Sequence, residues 1–94
     1  MPLAFEWDLR KARSNLAKHG VAFEEASTIF GDSLSLTIPD PEHSRTERRY
    51  ATMGRAFNGK LLVVVHTDRD DNIRIISARR ASRRERKFYE ETIE

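Results

Sequence analysis

The sequence of 94 residues contains no cysteine, which excludes disulfide bonds and any metal or redox site built on thiolates. It also has no run of roughly 18 apolar residues, the length that a membrane-spanning helix needs. The N-terminus lacks a basic segment followed by an apolar one, so a secretion signal is not expected. These absences are typical of a cytoplasmic protein, and we expect one domain that covers residues 1–94, with no membrane partner.

Charge is abundant but unevenly divided along the chain. Residues 1–42 contain seven acids and four bases, whereas residues 43–94 contain eight acids and thirteen bases. The densest cluster lies at residues 74–87, where seven cations accompany the single acid Glu85. Like charges at this density repel one another, and RNA is the polyanionic partner that would stabilise them, although such a cluster taken alone is more often a solvated surface. We therefore expect the second half to bind nucleic acid and the first half to support it.

The hydrophobic pattern predicts an α+β fold with a short N-terminal strand, two helices, a four-stranded antiparallel meander and a C-terminal helix. Asp8 and Gly20 are expected to begin and end the first helix, and Ser82 with Glu85 forms a capping box for the last. The predicted strands are 5–7, 34–38, 47–57, 61–67 and 73–80, and the helices are 8–18, 22–30 and a segment from 82 onward. The side chains expected to face the core from the first and last helices are Leu9, Ala12, Leu16, Phe88, Tyr89 and Ile93.

Two turns decide which strand residues share a face of the sheet. Asn58-Gly59 is typical of a two-residue type I′ hairpin loop, which would pair Arg55 with Leu62. A four-residue second loop at 69–72 would pair Leu62 with Arg79 and His66 with Ile75. Directly opposed residues share a face, so the polar face should carry Glu47, Arg49, Arg55, His66, Ser77 and Arg79. The other face, beneath the N-terminal helices, should carry Tyr50, Thr52, Val63, Val65, Ile76 and Ala78.

Four segments of the sequence resemble the BrnT family of toxins: residues 5–8 (FEWD), 15–26 (NLAKHGVAFEEA), 47–50 (ERRY) and 74–81 (RIISARRA). The resemblance spans residues 5–89, nearly the whole chain. It implies a RelE-like fold and a ribonuclease that acts on mRNA, on or off the ribosome, and inhibits translation. It further implies a cognate BrnA-like antitoxin with a ribbon-helix-helix part, a heterotetrameric complex built on a toxin homodimer, and operator DNA bound only through the antitoxin.

Metal-free RNA cleavage requires a base that activates the 2′-hydroxyl, an acid for the leaving oxygen, and cations beside the phosphorane. No triplet of histidines and carboxylates has metal-ligand spacing, so we expect neither a metal nor a cofactor. The base candidates are Glu47 and His43, and the acid candidates are Tyr89 and a histidine. Arg79, with Arg49 or Arg55, is expected to stabilise the phosphate, because a guanidinium can bind it through two hydrogen bonds. Arg79 and Glu47 should then project into one solvent-open hollow.

Further basic residues are expected to contact RNA away from the reacting phosphate: Lys18, His19, Arg48, Arg55, Arg80, Arg83 and Arg84. Each candidate also has a structural interpretation: Glu47 could pair with a neighbouring arginine, His66 could pack in the core, and His19 could favour a helix C-terminus. Two other function classes stay open. The chain could bind nucleic acid without cutting it, or act as a subunit whose basic edge binds an acidic antitoxin segment.

Overall fold

The structure is a computed structural model that describes residues 3–41 and 47–92. Its elements are β1 (Ala4–Glu6), α1 (Leu9–His19), α2 (Phe23–Ser27), β2 (Leu36–Pro39), β3 (Arg49–Arg55), β4 (Leu61–Arg69), β5 (Asn72–Arg80) and α3 (Arg83–Thr92). A short 3-10 helix, Thr28–Gly31, follows α2, so the predicted second helix is divided in two. Within the described ranges, no helix is long and apolar enough to cross a membrane.

The five strands form one sheet in the order β1-β5-β4-β3-β2. Strands β2 to β5 are antiparallel neighbours, which confirms the predicted meander and the α+β class. Strand β1 adds a parallel fifth strand, but it pairs only with residues 72–74 of β5. Beyond Arg74, the outer edge of β5 therefore has no neighbouring strand among the residues that the structure describes.

Ala56 and Lys60 pair just beyond the ends of β3 and β4, which leaves a loop of three residues, 57–59, so the predicted two-residue loop is wrong. The Ala56 N–H donates to the Lys60 carbonyl at 2.8 Å, and the Gly59 N–H donates to the Ala56 carbonyl at 2.9 Å. Gly59 has φ +85°, the left-handed conformation that closes a three-residue hairpin loop. Arg55 consequently pairs with Leu61 rather than Leu62, which inverts the two faces of β4 relative to the prediction.

A change of strand register inside the β4–β5 hairpin cancels the effect of the three-residue loop on the later part of β5. The loop consists of Asp70 and Asp71 rather than four residues, yet the predicted pair of His66 with Ile75 is confirmed. Ile76 is then an extra residue on β5, so that Val65 pairs with Ser77 and Val63 with Arg79. Such a bulge moves the remainder of the strand by one residue. Arg79 therefore shares the face of Arg55 as predicted, whereas His66 lies on the opposite face.

Each face of the sheet packs against its own helices. Under the N-terminal helices, Phe23, Ala26 and Ile29 pack on Leu62 and Val64. On the other face, Tyr89 of α3 packs with Met53, Leu61 and Val63. Thr52 and Ala78 lie on the predicted helix-covered face, but Val63 lies on the α3 face because the first hairpin is shifted by one residue.

Several predicted core positions of the helices are exposed. Leu9 and Leu16 are 68% and 51% exposed, and the buried residue of α1 is Asn15. Phe88 is 60% exposed, whereas its neighbour Tyr89 is buried as predicted. Helix α1 contacts the edge of β5, where the Asn15 side chain hydrogen-bonds to the backbone of Ala78, so a polar residue faces inward in place of a leucine. Ile93 lies outside the described residues.

Candidate functional site on the open sheet face

Helix α3 covers only part of its face of the sheet. Tyr89 anchors the helix over Met53, Leu61 and Val63, and an open groove of about 660 Å³ remains beside it. Sheet residues such as Ala51 and Val63 form the floor of the groove. Arg79, Arg84, Glu85 and Phe88 line it on the side of α3, and residues 39–41 line it where β2 ends. The volume is in the range of ordinary ligand-binding clefts.

One end of this groove carries a guanidinium paired with a carboxylate. The two terminal nitrogens of Arg79 donate to the two carboxylate oxygens of Glu85 at 2.7 and 2.9 Å. Glu85 also accepts the Ser82 N–H at 2.8 Å, so the predicted capping box is confirmed and places Glu85 beside the end of β5. The Arg79 hydrogen bonds are the main cause that lowers the pKa of Glu85 to about 2. Arg79 thus presents the two-pronged geometry with which an arginine binds a phosphate.

A second pair of opposite charges lies toward the other end of the sheet. The Glu47 carboxylate is 3.5 Å from Nη2 of Arg49 and 3.9 Å from Nη2 of Arg69. Arg49 pairs with Thr67 of β4, whereas Arg79 pairs with Val63 of the same strand. Four residues of β4 correspond to about 13 Å along the sheet. Glu47 does not line the groove beside Arg79, so the expected hollow shared by these two residues is not formed.

Tyr89 is a structural contact in this arrangement. Its side chain is 1% exposed, and its hydroxyl donates to Oδ2 of Asp32 at 2.6 Å. Burial, together with this hydrogen bond, raises the pKa of Tyr89 to about 12. Arg55 lies over the ring at 5.5 Å and pairs with Glu90 at 3.8 Å. The placement argues against the expected role of Tyr89 as the acid, and Arg55 is held at α3 rather than presented to the groove.

Neither of the two histidines that the structure describes, His19 and His66, lines the groove on this face. His66 is buried on the helix-covered side, where its Nε2 lies 2.7 Å from Oγ1 of Thr52 and its ring contacts the edge of Phe30. Burial lowers the pKa of His66, although the nearby Asp68 acts in the opposite direction. The predicted position of His66 on the same face of the sheet as Arg79 is therefore wrong. His43 lies outside the described residues.

The predicted RNA-contacting residues fall in three places. Arg80, Arg83 and Arg84 are exposed where β5 ends and α3 begins, next to Arg79. Arg48 is exposed just before β3. Lys18 and His19 line a separate cleft between α1 and β5. From the sequence, Glu85 was expected only to cap α3. The same capping box places Glu85 at the end of β5, where it binds Arg79.

No group of three or more His, Cys, Asp or Glu side chains within residues 3–41 and 47–92 is arranged to hold a metal ion. The cationic side chains that line the groove, Arg79 and Arg84, both carry guanidinium groups. The arrangement can therefore bind phosphates through arginine, and the carboxylates that it offers as acid–base groups are Glu47, Glu85 and the groove-lining Asp40.

Comparison with known proteins gives the family. The family model described as the ribonuclease toxin BrnT of type II toxin–antitoxin systems matches residues 7–85. Among solved structures, the crystal structure of the Brucella abortus ribonuclease toxin BrnT has a similar fold, with a TM-score of 0.68 and 21% sequence identity over 87% of this chain and 100% of that one. No curated protein sequence matches the chain. Since the family model covers most of the sequence, the resemblance is confirmed, and the chain belongs to the BrnT family of ribonuclease toxins of type II toxin–antitoxin systems.

Proposed function

We propose that this toxin cleaves single-stranded RNA laid across the open sheet face, without a metal ion. The observation that supports this proposal is the pair of opposite charges near each end of the face, Glu47 with Arg49 and Glu85 with Arg79. Because the two arginines are separated by about 13 Å along β4, they would contact different phosphates of one strand. A ribonuclease family and a face with two arginine–carboxylate pairs together favour cleavage over binding alone.

Glu47 and Arg49 are proposed as the reacting pair. The Glu47 carboxylate takes the proton of a ribose 2′-hydroxyl, whose oxygen attacks the adjacent phosphorus while the bond to the 5′-oxygen of the next nucleotide breaks. The leaving 5′-oxygen takes a proton from solvent water, so the products are a 2′,3′-cyclic phosphate and a 5′-hydroxyl. Arg49 neutralises the charge that develops on the phosphorane oxygens. His43 remains the alternative base, since it precedes Glu47 in the sequence by four residues.

Arg79 is proposed to bind a neighbouring phosphate, with Arg80, Arg83 and Arg84 along the path of the RNA beyond it. For this to occur, the phosphate must replace the Glu85 carboxylate in the fork of the guanidinium. Both anions present oxygen pairs to the same donors, so the exchange conserves the hydrogen bonds of Arg79. This interaction holds the strand in place and does not move a proton.

Purified toxin and its variants would test these roles with a short labelled RNA. We expect Glu47→Gln to lower kcat by about a hundredfold or more, as for the loss of a general base, with little change in KM. We expect Arg79→Gln mainly to raise KM. Lys60→Gln is the matched control, because Lys60 is an exposed cation of the β3–β4 hairpin loop, paired with Glu25. Cleavage by both Glu47→Gln and Arg79→Gln at the wild-type rate would show that the site is elsewhere.

Metal independence is a separate part of the proposal. The described residues supply guanidinium groups where a metal-dependent nuclease would need a cluster of oxygen or nitrogen ligands. Cleavage should therefore continue at the same rate after dialysis against EDTA. If activity were lost after dialysis and restored by Mg²⁺ or Mn²⁺, metal independence would be contradicted. RNA cleavage by the toxin would not be contradicted.

The type II family implies an antitoxin partner and an RNA substrate. We propose further that the antitoxin has a ribbon-helix-helix DNA-binding part and forms a heterotetramer with two toxins, through which operator DNA is bound. We propose that the toxin acts on mRNA in the cytoplasm and inhibits translation, as one domain. Induced expression should arrest growth, and co-expression of the antitoxin should restore it.

A further inference from the structure

Helix α1 concentrates the positive charge of the first half of the chain. All four bases of residues 1–42 lie within its eleven residues, and the helix contains no acid. The rest of the chain, by contrast, has thirteen Lys and Arg against fifteen Asp and Glu. Unrelieved like charges along one helix weaken it, because neighbours three and four residues apart repel. The expectation that the first half only supports the second is therefore incomplete.

The bases of α1 differ from those of the strands in their pairing. Among the described residues, none of Arg10, Lys11, Arg13 and Lys18 forms an ion pair. Five of the six strand arginines are within 4 Å of a glutamate, and among the described residues the exception is Arg80 at the end of β5; the five are Arg49, Arg55, Arg69, Arg74 and Arg79. Unpaired cations on a short helix are available for an external anion.

Two of these cations face a cleft of about 200 Å³ between α1 and β5. Lys11 and Lys18 lie two helical turns apart on the same side of α1, about 10 Å along the axis. Ser14 lies between them, and Ser77 of β5 forms part of the facing wall. The lining of this small space thus includes two lysines and two serines.

The cleft lies along a part of the β5 edge that has no neighbouring strand among the described residues. Strand β1 pairs no further than Arg74, and the extra residue at Ile76 displaces the strand. Instead of a further strand, the Asn15 side chain binds the backbone of Ala78: its amide donates to the Ala78 carbonyl at 2.8 Å, and its oxygen accepts the Ala78 N–H at 3.0 Å. A helix side chain replaces strand pairing here, which leaves the adjacent surface concave and polar.

We propose that this cleft is a second phosphate-binding site, which holds the RNA backbone at a distance from the reacting phosphate. Ser77 precedes Arg80 by three residues on the same strand, about 10 Å, so one RNA strand can pass from the groove beside Arg79 around the end of β5 to α1. The proposal rests on the proposed function only in taking RNA as the ligand.

The chemistry of the cleft favours phosphate over an acidic segment of an antitoxin. Protein partners obtain most of their affinity from buried aromatic and aliphatic anchors, and Ile76 is the one apolar side chain of this lining. A phosphate needs only cations and hydroxyl donors, which the cleft supplies, with His19 at its rim. If the cleft instead bound an acidic peptide, the test below would show this as a loss of affinity for the antitoxin.

The test compares two double variants of the full chain. Lys11→Gln with Lys18→Gln removes two charges from the cleft, whereas Arg10→Gln with Arg13→Gln removes two charges from α1 outside the cleft lining. Lys, Arg and Gln have similar helix propensities, so both variants should fold alike. Binding of a labelled single-stranded RNA is followed by fluorescence anisotropy at several salt concentrations, and cleavage is measured as kcat and KM.

We expect the cleft variant to bind RNA about tenfold more weakly. The slope of log affinity against log salt concentration should fall by about one, as for the loss of one phosphate contact. The control pair should lose no more than about threefold in affinity. In cleavage, the cleft variant should raise KM for a long RNA and leave kcat unchanged, and a dinucleotide substrate should not be affected. If the toxin proved unable to cut RNA but the cleft variant still bound it more weakly than the control, the proposed function would fail and this inference would stand.

Equal RNA affinity of the two double variants would overturn the inference, whatever the cleavage activity. So would a cleft variant that binds RNA normally but has lost affinity for the antitoxin, because the cleft would then serve a protein partner. Weaker RNA binding with kcat also reduced for the dinucleotide would place the lysines at the reacting phosphate, and this too would contradict a distant backbone site.

Discussion

Arg79 holds the carboxylate of Glu85 through two nearly parallel hydrogen bonds, of 2.7 and 2.9 Å. The same carboxylate caps helix α3 by accepting the Ser82 N–H at 2.8 Å. In the structure Glu85 ties the first turn of α3 to the end of β5, and under the proposed function it occupies the place that a phosphate would take at Arg79. We therefore expect RNA binding at Arg79 and the attachment of α3 to be coupled through this one side chain.

Glu85→Gln should separate these two effects. Gln retains a capping oxygen but no charge, so we expect RNA affinity to rise about threefold to tenfold because Arg79 loses its competing anion. Stability should fall by about 1 kcal/mol or less, since the pair is partly exposed. RNA anisotropy and urea denaturation measure the two changes. Weaker RNA binding by the variant would mean that Glu85 positions Arg79 for the phosphate and does not compete with it.

The contribution of Glu85 to stability should depend on pH. Its folded pKa of about 2 lies below the ordinary value of 4.5, so the carboxylate stabilises the fold above pH 4.5 and this contribution is lost as pH falls toward 2. Denaturation of wild type and Glu85→Gln between pH 2 and 6 should show two curves that converge at the acid end. Curves separated by a constant amount over this range would contradict the assigned pKa.

Tyr89→Phe distinguishes a structural tyrosine from a catalytic acid. The variant loses the 2.6 Å hydrogen bond to Asp32, which we expect to cost about 2 kcal/mol because the acceptor is charged. RNA cleavage by the folded variant should stay within about threefold of wild type. A loss of kcat of a hundredfold or more would restore Tyr89 as the acid. A double-mutant cycle with Asp32→Asn should show that the two stability effects are coupled.

Asn15→Ala should be among the more destabilising substitutions outside the apolar core. The Asn15 amide donates to the carbonyls of Val21 and Ala78, and its oxygen accepts the Ala78 N–H. Truncation leaves these buried backbone groups without partners, which we expect to cost about 3 kcal/mol. Ser14→Ala, at the adjacent exposed position, is the control and should change stability by less than about 0.5 kcal/mol. Equal denaturation midpoints for the two variants would contradict the structural role of Asn15.

His66 should make the fold less stable in mild acid. Burial lowers its folded pKa below the ordinary value of 6.5, so the unfolded chain binds a proton first as the pH falls. Stability should therefore decrease from pH 6.5 downward, by at most about 1.4 kcal/mol per pH unit from this one group. His66→Gln can keep a hydrogen bond to Thr52 and should remove this part of the pH dependence. An unchanged slope between pH 5 and 6.5 in the variant would show that other groups are responsible.

The ends of the helices could be predicted from the sequence, because each is determined by residues only a few positions apart. Asp8 caps α1 through the N–H groups of Arg10 and Lys11, Gly20 ends it with φ +70°, and Ser82 with Glu85 begins α3. The order of the strands in the meander followed from short loops between alternating segments. These features depend on residues within a few positions of one another, so no knowledge of the packing is needed.

The faces of the sheet were harder to predict, because one residue in a loop inverts every side chain that follows. A three-residue first loop moved Val63 to the α3 side and His66 to the opposite side. The bulge at Ile76 then returned Arg79 to its predicted face. The correct position of Arg79 thus resulted from two shifts that cancel, neither of which the sequence showed.

The sequence by itself determined the family, the α+β class, the meander and the concentration of cations where β5 meets α3, because each is encoded in residue types and short spacings. Only the tertiary structure decided that Glu47 and Arg79 stand apart, that Tyr89 is bound to Asp32, and that the cations of α1 lie beside Ser77. The physical reason is that these relationships join residues distant in the chain, and their geometry is fixed by strand register and by how the helices pack on the sheet, not by any local preference.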